Sequence, residues 1–134
     1  MRSPVTNESY IFKATYTLDA ITSAAKNVSS KNLSKSKKGI AYERYVASIL
    51  VRQGYRVSFT KKSCDFGADI LAQRYGVRLC VQCKAYKAGI SAVQEVLGAM
   101  AYYGGQGVVA ATGFTKSAKE LAIRSHVILW CLTI

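Results

Sequence analysis

The stretch DFGADILAQRYGVRLCVQCK, Asp65 to Lys84, decides how this chain is read. It opens on a turn, Asp65-Phe66-Gly67-Ala68, and enters an apolar run, Asp69-Ile70-Leu71-Ala72. Tyr75-Gly76 marks a tight turn, and Val77 to Lys84 follows as a second strand. Side chains two apart on a strand share a face, so Gln82 and Lys84 project together, with Arg78 and Cys80 beside them. Leu79, Val81 and Cys83 take the other face and are expected to feed the core. If the hairpin closes around Gly76, Asp69 falls near Lys84 in register. A carboxylate, an amide and an ammonium then converge at one end of a sheet.

Outward from this hairpin the chain alternates helices and strands. Ile40 to Gln53 carries Tyr42, Val46, Ile49 and Leu50 at helical spacing, and Gly54 suits the stop. Tyr55 to Thr60 alternates apolar and polar residues as a half-buried strand does. Downstream, Ser91-Ala-Val-Gln94 reads as a capping box for a helix ending near Tyr103, before Gly104-Gly105. Gly107 to Thr112 reads as a buried strand, Thr115 to Ser125 as a capped helix and Val127 to Leu132 as a last strand. The first three strands can pair as an antiparallel meander. Helical crossovers then add strands in parallel. The expected fold class is α/β, a mixed central sheet flanked by helices.

Residues 1–38 differ from this pattern and are expected to form an extension to a domain spanning 39–134. Tyr10 to Val28 could form one or two marginal helices. Ser29 to Lys38 reads SSKNLSKSKK, a flexible linker or phosphate-contacting arm, with a merely solvated tail of equal weight.

Composition narrows the function classes. Half of the 134 residues are hydrophobic, which argues against a disordered chain. No apolar run approaches the roughly 20 residues of a membrane span, so no membrane partner is expected. The net charge of +12, from 19 Lys+Arg against 7 Asp+Glu, points to a polyanionic partner. A nucleic acid is the expected partner, with Lys35, Lys37, Lys38, Lys61, Lys62 and Lys87 as candidate contacts. Cys80 and Cys83 have zinc-like spacing, but three positions apart on a strand they face opposite ways. They read as reduced, core-filling thiols, consistent with a cytoplasmic protein. No secretory leader is expected, and an organellar presequence stays open.

With acids so scarce, those that persist near a phosphate ligand usually hold a metal. Asp69 is the obvious anionic ligand. Gln82 and the Cys83 carbonyl are neutral ones, and Glu43, at the edge of the first helix's apolar face, could bind directly or through water. Mg²⁺ takes such oxygen donors and keeps several waters, with Mn²⁺ as a substitute. Lys84 would position an attacking water and offset developing negative charge, as phosphodiester hydrolysis requires. Each has a plainer reading beside it: Asp65 and Asp69 as turn residues, Glu43 as a surface ion pair, Lys84 as a solvated lysine. Tyr102-Tyr103 would pack a helix, and His126 would sit at a helix end.

In order, Tyr42-Glu43, Asp65-x-Gly67-x-Asp69, Gln82-x-Lys84, Val93-Gln94-Glu95 and Gly113-Phe114-Thr115 resemble the catalytic domain of Mrr-type restriction endonucleases, within the PD-(D/E)xK nuclease superfamily. The resemblance runs from Gly39 to about Leu132. It implies a restriction-endonuclease-like αβββαβ core, here with a further αβ, and Mg²⁺-dependent cleavage of DNA. By position Asp69 would bind the metal and Lys84 would be the catalytic lysine. Gln82 stands where the superfamily usually has an acid, and Asp65 and Gln94 would support the site. The expected activity is a non-specific or structure-directed DNA endonuclease. The alternatives are a Holliday-junction resolvase and a non-catalytic DNA-binding module with a nuclease fold. A homodimer would let one small domain address both strands.

Overall fold

A computed structural model describes residues 11–13, 35–60 and 67–133. The sheet is built around the hairpin. Strand β3 (Ile70–Arg74) pairs antiparallel with β4 (Val77–Ala88), Ile70 opposite Val81 and Arg74 opposite Val77. Tyr75 and Gly76 between them have φ of 50° and 80°. Positive φ at both central positions is the turn whose twist matches that of the flanking strands. Strand β2 (Arg56–Phe59) pairs antiparallel with β3 and completes the expected meander.

The crossovers then add parallel strands. Helix α2 (Ile90–Tyr103) leads from β4 to β5 (Gln106–Phe114), and helix α3 (Lys116–Ser125) leads from β5 to β6 (Ile128–Cys131). The sheet is mixed, as the sequence predicts. Among the described residues it has six strands, because β1 (Ile11–Lys13) lies parallel to β6, in the order β1-β6-β5-β4-β3-β2. The marginal helices expected over Tyr10 to Val28 are therefore corrected at 11–13, where the backbone pairs as a strand. The remainder of that segment lies outside the described residues.

Helix α1 (Lys35–Arg52) covers one face of the sheet. Its Tyr42, Val46, Ile49 and Leu50 pack with Ile70, Val81, Ala110 and Trp130. Helices α2 and α3 cover the other face, where Ala92, Val96, Ala118 and Ala122 pack with Cys80, Val109 and Leu129. Both faces of β4 are thus core. Leu79, Val81 and Cys83 face the α1 side as expected, and Cys80, read from the sequence as a core-filling thiol, is fully buried beneath α2. Small residues at 92, 99, 118 and 122 let these helices lie close to the sheet.

Two boundaries moved. Helix α1 starts at Lys35, so the basic run expected in a flexible arm ends in regular helix. At the start of α2 the Ser91–Gln94 capping box does not form. Gly89 is the N-cap and no side chain caps it. Thr115 does cap α3, its side chain accepting from the Ala118 amide, and His126 closes that helix in the left-handed region. Among the described residues no helix is long and apolar enough to cross a membrane.

Candidate active site

Strand pairing brings the start of β3 to the middle of β4. The Asp69 amide donates to the Val81 carbonyl at 2.8 Å, which extends the ladder one residue beyond Ile70. Asp69 therefore sits beside Gln82. Its Oδ2 accepts from the Cys83 amide at 2.9 Å, so the carboxylate is oriented by the backbone of the neighbouring strand. Only 9% of Asp69 and 4% of Gln82 is exposed. Burying a carboxylate without partners costs several kcal/mol, so this polar pair must be satisfied locally. Gln82 does that: oriented by its neighbours, its Nε2 donates to the Gly67 carbonyl at 3.2 Å and to Asp69 Oδ2 at 3.3 Å. A carboxylate at position 82 would instead set two negative oxygens against each other.

Gly67 is what lets the turn come in. Its φ is +89°, and a Cβ there would lie 1.9 Å from the Glu95 carbonyl oxygen on α2. The turn that carries Asp69 is seated directly on that helix backbone.

Lys84 lies two residues past Gln82 on the same face, and its Nζ meets Glu95 Oε1 at 3.3 Å. Burial by itself pulls the Lys84 pKa down. The Glu95 carboxylate, helped by Tyr86, outweighs it, and the net shift is upward from the ordinary lysine value. Lys84 is thus an ammonium at neutral pH, a donor rather than a base. Beyond it the ladder with β5 shifts register between Lys84 and Lys87. Such an irregularity re-aims side chains at a strand end.

Asp69, Gln82 and Lys84 therefore share one end and one face of the sheet, as the hairpin register predicts. Glu43 is half-buried on α1, whose apolar side packs on the opposite, Val81-bearing face. Gln94 is exposed on α2, next to Glu95. Lys37 and Lys38 are exposed near the start of α1, and Lys87 is exposed on β4. Lys35 is helical. Asp65, Lys61 and Lys62 lie outside the described residues. Cys80 and Cys83 belong to opposite core clusters and neither forms a disulfide, so the pair does not converge on one zinc.

The oxygen-bearing side chains that the strand pairing brings together here are the Asp69 carboxylate and the Gln82 amide. Among the described residues no three His, Cys, Asp or Glu side chains form a metal-holding cluster. A donor set with so few charges fits a hard cation that retains most of its waters.

The family model for the Mrr catalytic domain, described as a restriction endonuclease, matches residues 35–133. The chain belongs to this Mrr catalytic-domain family. The match starts where α1 starts and ends just past β6, so it spans every element of the domain except β1. The Mrr domain here is also similar to solved structures. One is a repair endonuclease from Pyrococcus abyssi, with 20% identity and a TM-score of 0.55 over 77% of this chain and 49% of that one. Another is EndoMS in complex with double-stranded DNA, with 20% identity and a TM-score of 0.56 over 75% and 45%. This chain thus spans about half the length of those it resembles, and at such identity the likeness shows a shared restriction-endonuclease-like fold. The search of curated proteins found no match.

One residue of this Mrr site escaped sequence reasoning. Glu95, in the sequence no more than a member of the Val93-Gln94-Glu95 motif, is the ion-pair partner of Lys84. The available signal was its acidity: with only 7 Asp+Glu in the chain, an acid on a helix that follows the lysine strand is a candidate counter-ion.

Proposed function

We propose that this chain is a divalent-metal-dependent DNA endonuclease, non-specific or directed by DNA structure. The observation that carries the reading is the meeting of Asp69, Gln82 and Lys84 at one end of one sheet face. Asp69, the Gln82 amide oxygen and the Cys83 carbonyl would hold Mg²⁺ or Mn²⁺, while Glu43, on the helix that packs against the opposite face, is left out of the metal site. When bound, the ion supplies Lewis acidity at the phosphate and a water of lowered pKa. The Cys83 amide and Gln82 fix the Asp69 carboxylate before substrate arrives. Lys84 keeps its proton on Nζ and donates toward the phosphate oxygens as negative charge builds at phosphorus. Glu95 holds that ammonium in place.

The test is plasmid nicking with Mg²⁺ or Mn²⁺. Wild-type protein cleaves, and Asp69→Ala and Lys84→Ala do not. Unchanged rates in both variants overturn the assignment.

Gln82 supports a second reading, a non-catalytic DNA-binding module. Its amide satisfies Asp69 without any cation, so metal affinity is lower than a second carboxylate would give. Calorimetry decides: no heat at millimolar metal, with DNA affinity intact, favours the module. Paired symmetric cuts on four-way junctions, absent on linear duplex, would instead favour a Holliday-junction resolvase. A homodimer accompanies the endonuclease reading, since one small domain must reach two strands; sedimentation equilibrium measures it.

A further inference from the structure

The face of the sheet that carries Gln82 and Lys84 does not end at α2. Strand register puts Arg56 opposite Gln73, Gln73 opposite Arg78, and Ser58 opposite Leu71, which is opposite Cys80. All lie on the face shared with Gln82 and Lys84. Past the cover of α2 no described element packs on this face. A groove of about 260 Å³ is lined there by Arg56, Ser58, Gln73 and Arg78 among others. A second groove, of about 330 Å³, continues from Arg56 and Gln73 to Arg74, Tyr75 and Gly76 at the hairpin tip. Among the described residues, every charged side chain lining the two grooves is an arginine.

The tip is unusual. Tyr75 is 95% exposed and has a φ of 50°. That position favours Asn, Asp or Gly, and an aromatic residue there brings strain with no burial in return. Arg74 places its guanidinium 4.5 Å from the Tyr55 ring centre and 5.7 Å from that of Tyr75, which props the exposed ring. Arg78 is held by donating to the Tyr103 carbonyl at 3.0 Å. Arg56 is exposed on β2.

We propose that this open face is a track for one DNA strand leading to the active site. Arg56 and Arg78 take phosphates, Ser58 and Gln73 supply polar contacts, and Tyr75 stacks on a base at the far end. The proposal rests on the endonuclease reading for its occupant. From Tyr75 to Asp69 is six residues of strand, about 20 Å. At about 3.4 Å per nucleotide the track spans about six nucleotides on one side of the cut. Aromatic stacking tolerates any base, so such a track adds affinity without sequence preference.

The experiment measures binding of duplex DNA that carries a single-stranded arm by fluorescence anisotropy in EDTA, across a salt series, with cleavage in Mg²⁺ measured separately. Arg56→Ala should lower the steepness of log K against log salt by about one. Tyr75→Gly, which the turn accepts, should weaken binding about five- to a hundredfold. Arg124→Ala, an exposed arginine on α3, controls for net charge and should leave the affinity closer to wild type. Wild-type binding that neither Arg56→Ala nor Tyr75→Gly alters more than Arg124→Ala overturns the track, whatever the cleavage result. Binding lost as expected in a protein that never cleaves keeps the track and overturns the endonuclease. No DNA binding by wild type overturns both.

Discussion

Gly67→Ala is the sharpest perturbation of the site, because it changes none of the side chains proposed to react. The new Cβ would stand 1.9 Å from the Glu95 carbonyl oxygen and 2.7 Å from its carbon, against a floor near 3.0 Å. The obstacle is helix backbone, so the turn must yield, by about 1 Å. Holding alanine at a left-handed φ costs a further ~1–2 kcal/mol. Together these should destabilise the domain by about 2–3 kcal/mol. At about 4 °C per kcal/mol that is a fall in Tm of about 10 °C. Asp69 follows two residues later, and a displacement of about 1 Å at a reacting group can cost on the order of 10²-fold in rate. Plasmid cleavage at 25 °C, where the variant is still folded by circular dichroism, reads the second effect apart from the first. Gly98→Ala on α2 is the counterpart: nothing lies within 4 Å of its Cβ, so helix propensity should stabilise by about 1 kcal/mol. Gly67→Ala matching wild type in both Tm and rate would refute the seating of the turn on α2.

Three further outcomes follow from single contacts. Glu95→Gln should slow cleavage about tenfold, a loss of about 1.4 kcal/mol of positioning, while Tm stays nearly constant because a half-exposed ion pair contributes about 0–1 kcal/mol; equal loss of rate and stability would mean a purely structural role. Tyr42→Phe removes a buried donor to the Leu132 carbonyl at 2.8 Å and leaves that acceptor unpaired, so chemical denaturation should show a loss of about 1–3 kcal/mol. Cys80 is fully buried, and burial pushes its thiol pKa up; native protein at pH 7 to 8 should resist iodoacetamide there, and mass spectrometry showing rapid modification of Cys80 would contradict that packing.

What the sequence determined by itself was local or periodic. The Tyr75-Gly76 turn set the β3–β4 register, and register put Gln82 and Lys84 on one face with Asp69 beside them. The opposed faces of Cys80 and Cys83 followed from the same two-residue period. The Thr115 cap and the parallel strands after each helix were equally legible. Tertiary structure alone decided which helix covers which face, since apolar periodicity names a buried side but not its neighbour. It buried Cys80 under α2 and set α1, with Glu43, against the Val81 face. It paired Lys84 with Glu95, eleven residues away and on another element. Among the described residues it also left the Arg56–Tyr75 face uncovered, because α2 lies over β4 and β5. Packing between distant elements is chosen by shape and volume, which no single stretch of chain encodes.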